Sequence, residues 1–159
     1  MIEILTTGGT IEKQYDPLTG FMGFKGEHIH TLLQQARIGI EYRVEPILMK
    51  DSLDINDKER LLIANKCRLM SNKVIITHGT DSMVETAKVV FEHQASLDQV
   101  VVLTGAMVPA SVKGSDALFN LGLAISSVQI LPPGVYIAMS GQLFNWDEVR
   151  KDVDAGRFE

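Results

Sequence analysis

The stretch Lys73-Val74-Ile75-Ile76-Thr77-His78-Gly79-Thr80-Asp81 changes character in its middle. Val74, Ile75 and Ile76 are all apolar and β-branched. A strand with one wet face alternates apolar with polar residues. One that is apolar throughout has both faces covered, as in a parallel sheet packed between helices. Then come hydroxyls, a glycine and a carboxylate, the composition of a loop. Outward from here, Val100–Leu103 and Val135–Ala138 are also continuously apolar, and Ile2–Leu5 and Val44–Leu48 bring the candidate strands to five. Pro46 has no N–H to give a ladder, so Val44–Leu48 is the strand expected at a sheet edge.

Helical patterns separate these runs. Glu27–Arg37 is a short one. Asn56 is placed to cap a helix running to about Met70, with Asp57 and Glu59 in its first turn and Ile63, Cys67 and Met70 facing inward. Asp81 or Ser82 starts another, with Val84, Ala87 and Phe91 on one face. A fourth runs from Ser115, with Leu118, Leu121, Ile125 and Val128 at helical spacing. Strands alternating with helices give an α/β fold of three layers, α/β/α, with a mainly parallel, Rossmann- or flavodoxin-like sheet.

At 159 residues, 45% of them hydrophobic, the chain is sized for one domain with a core that needs no metal or disulfide. Net charge is −5 without a basic block, which excludes a nucleic-acid or anionic-membrane partner. No apolar run reaches the ~18 residues of a membrane span. Cys67 is the sole cysteine, and a strand from Ile2 leaves no room for a signal peptide, so a cytoplasmic location is expected.

Ligands of such sheets bind beyond the carboxyl ends of the strands. The segments there are Thr6–Thr10, Asp51–Asp54, Thr77–Asp81, Thr104–Pro109 and Ser140–Gly141. Thr6-Thr7-Gly8-Gly9-Thr10 allows a tight turn but is neither a Walker loop nor a full dinucleotide fingerprint. Taken singly, Thr80 or Asp81 reads as a helix cap, Ser115-Asp116 likewise, and His78 as a structural loop residue. His28, His30 and His93 lack the paired spacing of a metal site.

Together the segments resemble the bacterial-type L-asparaginase family, which includes asparaginase-glutaminases. The matching text is Thr7-Gly8-Gly9-Thr10-Ile11, then Ile76-Thr77-His78-Gly79-Thr80-Asp81-Ser82-Met83 with Glu85-Thr86-Ala87, then Thr104-Gly105-Ala106-Met107-Val108-Pro109 followed by Ser115-Asp116 and Phe119-Asn120-Leu121. The resemblance spans nearly all of the chain but only the N-terminal, larger domain of the usual two-domain member. It implies that Thr10 is the nucleophile and that Thr80, Asp81 and Lys151 form a Thr–Asp–Lys arrangement. It further implies that Ser52 holds a substrate α-carboxylate, that Asp81 also holds the α-amino group, and that Ala106 meets the side-chain amide through its backbone. With Gly9, Asp51 and Gly79 beside them, these make up the substrate-binding set. The chemistry is coherent: a threonine hydroxyl needs a base or proton shuttle within reach, and backbone N–H groups near Gly9, Thr10 and Thr80 can steady an oxyanion. No metal or organic cofactor is required. The implied assembly is a homodimer or larger homo-oligomer acting on a small amide.

Three departures stand out. The family's loop tyrosine has Gly20-Phe21 in its stretch, with Tyr15 earlier in the loop. Glu12–Gly26, with Pro17, Gly20, Gly23 and Gly26, suits a flexible lid or a plain hairpin. Leu53 stands where a polar residue commonly follows the serine. The second domain, which in relatives completes a neighbouring subunit's site, has no counterpart before Glu159. These departures favour weak or relaxed activity, or an alternative reading as an amino-acid or protein binder without turnover. A nucleotide-binding domain is a third reading, opposed by the lack of a phosphate-binding lysine.

Overall fold

Each of the five apolar runs forms a strand of one central sheet. The computed structural model describes residues 1–24, 28–93 and 98–159. In chain order the strands are β1 (Ile2–Gly8), β2 (Lys13–Asp16), β3 (Phe21–Phe24), β4 (Tyr42–Lys50), β5 (Lys73–Thr77), β6 (Val100–Thr104), β7 (Gly134–Met139), β8 (Gln142–Asn145), β9 (Lys151–Asp152) and β10 (Arg157–Phe158). The helices are α1 (His28–Gln35), α2 (Asp57–Arg68), α3 (Met83–Glu92) and α4 (Ala117–Ile130). Glu27, where the first helix was expected to begin, and Gly26 lie outside the described residues.

The main sheet runs β4-β1-β5-β6-β7-β8, parallel except for the β7–β8 pair. The five parallel strands, numbered among themselves, follow the order 2-1-3-4-5 of flavodoxin-like sheets, with the switch point between β1 and β5. Pro46 does lie on an edge strand, opposite Thr6.

The continuous apolarity has the expected cause, because successive side chains enter two cores. On one face Leu5, Val74, Ile76, Val101 and Leu103 pack with Ile63 and Cys67 of α2 and Ala87 and Val90 of α3. On the other, Ile4, Ile75 and Val102 pack with Leu33 of α1 and Leu121 and Ala124 of α4. Asn56 caps α2 through a full capping box with Glu59.

Two helical faces differ from expectation. On α3 the buried residues are Met83, Thr86, Ala87 and Val90, while Phe91 is exposed. Thr86 can turn inward because its hydroxyl bonds His78 (2.9 Å). On α4, Ala117, Asn120, Leu121, Ala124, Ser127 and Val128 are buried, and Leu118 and Ile125 flank them. Alanines let this helix lie close to the sheet, and Asn120 is buried because it is hydrogen-bonded.

Two hairpins complete these strands, the first of them not foreseen. Ser140-Gly141 is a two-residue hairpin turn with both φ positive (55° and 77°), the geometry that returns β8 along β7. Of the two readings of Glu12–Gly26, the described residues form the hairpin, β2 paired with β3.

Candidate active site

Loops after β1 and β5 leave the sheet at its switch point, and two glycines bring them into contact. Gly9 has φ +76°, and a Cβ there would lie 2.3 Å from the Gly79 nitrogen. A Cβ on Gly79 would fall 2.6 Å from the Ser52 Oγ. Only glycine permits this stack of three loops. Thr10 and Thr80, the residues following Gly9 and Gly79, therefore start from touching backbones.

Thr10 opens a short 3-10 turn, Thr10–Glu12, and is partly exposed. Its hydroxyl makes no hydrogen bond among the described residues. Thr80 is buried (4% exposed), whereas Asp81 is exposed. Neither caps α3: its N-cap is Ser82, whose hydroxyl donates instead to the Ser52 carbonyl (2.7 Å).

Lys151 joins this pair from 70 residues away. Its Nζ donates to Thr80 Oγ1 (2.8 Å) and to Asp81 Oδ1 (2.6 Å). It is placed by a two-strand ribbon, where Lys151 on β9 stands opposite Phe158 on β10, and Phe158 is fully buried in the core. Phe158 thus packs within its own domain, as do Phe144 and Trp146, whose indole lies 5.0 Å from the Phe91 ring. A cleft lined by Thr80, Asp81, Val84, Glu85 and Lys151 opens beside the ammonium.

His78 holds the Thr80 loop from within. The Gly79 carbonyl can only accept, so His78 donates through Nδ1 (2.8 Å), and Nε2 accepts from Thr86. Burial pushes its pKa down to about 4, so the ring is neutral and structural.

Ala106 is buried in the third loop, which Asp116 braces instead of capping a helix with its side chain. Its carboxylate accepts from Met107 N and Val108 N (3.0 and 2.9 Å) and caps no N–H of α4. Asn120 donates to Gly105 O and Asp116, and accepts from Ser140 N.

Ser52 is buried, and its Oγ has no hydrogen-bond partner among the described residues. The neighbouring Asp51 carboxylate is taken up by Lys13 (2.5 Å) and Leu53 N (3.2 Å). Lys13, foremost, holds the Asp51 carboxyl below its ordinary range. Leu53 is exposed. Tyr15 is exposed on β2, opposite Met22, and makes no hydrogen bond to Thr10, Thr80 or Lys151 among the described residues.

No group of three His, Cys, Asp or Glu side chains among the described residues is arranged to hold a metal ion. No helix among them is long and apolar enough to cross a membrane.

Residues 1–158 match the family model of the asparaginase N-terminal domain. The chain belongs to this asparaginase family. It is 31% identical to L-asparaginase 2 of Escherichia coli over an alignment covering 94% of this chain and 46% of that protein. The solved thermostable L-asparaginase of Thermococcus kodakarensis superposes with a TM-score of 0.84 at 26% identity, over 99% of this chain and 50% of that one. A probable cytoplasmic L-asparaginase of Campylobacter jejuni gives 0.81 at 30% identity, over 99% and 52%. The asparaginase-type chain thus spans about half the length of the relatives it matches. Lys13 and the bracing role of Asp116 were missed in the sequence. Lys13 belongs to none of the motifs the sequence offers, and Asp116 had the place and chemistry of a helix cap.

Proposed function

We propose that this chain hydrolyses the side-chain amide of L-asparagine, or of a related small amide, through Thr10. The observation that supports it most is Lys151 bonded to both Thr80 and Asp81 beside the Gly9–Gly79 contact. The Thr10 hydroxyl attacks the amide carbon. Its proton passes through the Thr80 hydroxyl to the Thr80–Asp81–Lys151 group, and is returned to the nitrogen as the C–N bond breaks and ammonia leaves. Water then cleaves the ester, restoring Thr10 and releasing the acid. Gly9 N–H is committed to the Lys50 carbonyl (2.8 Å), which leaves the Thr10 and Thr80 amides for the oxyanion.

The Ser52 Oγ, without a partner among the described residues, suits a substrate carboxylate, with Asp51 next to it in the chain. Gly79 and Gly9, whose backbones touch, let substrate approach the two loops closely, the second oxygen of Asp81 takes an α-ammonium, and Ala106 presents backbone to the amide. Tyr15 takes the loop-tyrosine role only if the hairpin swings inward. We place the protein in the cytoplasm, with residues 1–159 forming an N-terminal-type domain that self-associates; the buried free thiol of Cys67 fits a reducing compartment.

The test is ammonia release from L-asparagine and L-glutamine. Wild type should exceed Thr10→Ala by at least about 100-fold, in line with loss of an essential nucleophile. Equal release by the two proteins ends this reading. The exposed Leu53 favours a second one, an amino-acid binder without turnover. Calorimetric binding of aspartate with no ammonia release would select it.

A further inference from the structure

Lys13 lies three residues beyond Thr10, at the end of its 3-10 turn, and both its ends are tied to other loops. Its ammonium bonds Asp51 Oδ2 at 2.5 Å, while Asp51 Oδ1 accepts from Leu53 N at the start of the Ser52–Asp54 turn. Its carbonyl accepts from Ser111 Oγ (2.9 Å), close to where Ala110 N meets the Ile11 carbonyl (3.4 Å). Its ammonium also sits 5.8 Å from the Phe24 ring centre, at the foot of the β2–β3 hairpin. One side chain and its backbone therefore join the turn of Thr10, the turn of Ser52 and the loop that carries Ala106.

We infer that Lys13 is a positioning residue, stapling the Thr10 turn to the Ser52 turn through Asp51 so that the attacking hydroxyl and the carboxylate-binding serine keep a fixed separation. Neither Lys13 nor Asp51 needs to touch the reacting atoms. A fixed separation matters because a misplacement of about 1 Å between bound substrate and attacking group can cost roughly 100-fold in rate. Loosening the staple lets substrate bind with its amide away from Thr10, so kcat falls while KM holds.

The kinetic part rests on the hydrolase reading; a second measurement does not. Amide hydrogen exchange is recorded for Thr10–Lys13 and Ser52–Ile55 in wild type, Lys13→Met, Lys13→Arg, Asp51→Asn and the Lys13→Met/Asp51→Asn double variant. Each single removal should speed exchange in both turns at least tenfold, with β5 unchanged. The double variant should be no faster than either single one, and Lys13→Arg should restore protection. In turnover, Lys13→Met should lower kcat at least tenfold with KM within threefold. Exchange that rises only in the mutated turn, additive effects in the double variant, or an unchanged kcat in an active wild type overturns the staple. Should Asp51→Asn not fold, Lys13→Met and Lys13→Arg decide alone. If wild type and Thr10→Ala release ammonia equally, the hydrolase reading falls, and exchange still decides the staple.

Discussion

Lys151 has three N–H donors and no acceptor while charged, and two of them point at Thr80 and Asp81. Replacing it with Met should lower kcat/KM by about 10²–10⁴, the usual worth of a positioned proton donor or acceptor. The melting temperature should barely move, because the Asp81 side chain is 43% exposed and such pairs contribute little. Steady-state kinetics alongside thermal melts checks this, and an unchanged kcat/KM would remove Lys151 from the mechanism. His78 carries a different expectation. Its folded pKa of about 4 lies below the ordinary 6.5, so the unfolded chain binds its proton first. Stability from this group is complete above about pH 6.5 and declines as pH falls towards 4, by about 3 kcal/mol in total. Urea unfolding at pH 7.5 and 4.5 should show a drop that shrinks in His78→Asn. An equal drop in both proteins would mean that the histidine is not neutral in the folded state.

At the scale of elements, the β9–β10 ribbon is the least self-sufficient part of the site. Two residues per strand cannot stand alone, and Phe158 anchors them by entering the core between α2, α3 and the sheet. Phe158→Ala should cost about 3–5 kcal/mol and reduce activity even at temperatures where the rest stays folded, because Lys151 loses its support. Asn56→Ala offers the contrast. It removes the capping box of α2, costs about 1 kcal/mol, and should leave kcat/KM unaltered when measured well below the melting temperature. Equal activity losses in the two variants would contradict the separation of anchor from frame. The capping residue was legible from Asn56 and the acidic first turn, because a cap depends on neighbours within four residues. Ribbon and hairpins were less legible. β9 and β10 are too short to show a period, and the Ser-Gly turn before β8 was read only as the end of a strand.

For the molecule as a whole, the decisive feature is where the strand order reverses. β1 and β5 are neighbours, the helices that follow them pack on opposite faces of the sheet, and their loops touch at Gly9 and Gly79 with Ser52 alongside. A ligand bridging these loops binds only the folded state, so L-aspartate should stabilise the protein. At 100 times its dissociation constant the gain is about 2.7 kcal/mol, which for a chain of this size raises the melting temperature by roughly 5–10 °C. Scanning calorimetry with and without aspartate measures this, with a neutral amino acid such as alanine as the comparison. Absence of any shift at millimolar aspartate would argue against an amino-acid site at the switch point.

The sequence alone determined the number and places of the five principal strands, the layered α/β class, the edge position of the Pro46 strand and the segments from which a site must be built. Each rests on a local cause: periodicity of burial, a missing N–H, a cap, or a loop where polar residues follow an apolar run. Tertiary structure alone supplied the distances at which Lys151, expected there from the resemblance, meets Thr80 and Asp81, and decided that Lys13 bonds Asp51, that Asp116 braces a loop and that α3 turns Thr86 inward. All four are hydrogen-bond choices between groups eight or more residues apart. A buried or half-buried polar group takes whichever partner the packed chain brings within about 3 Å, and no window of sequence contains that distance.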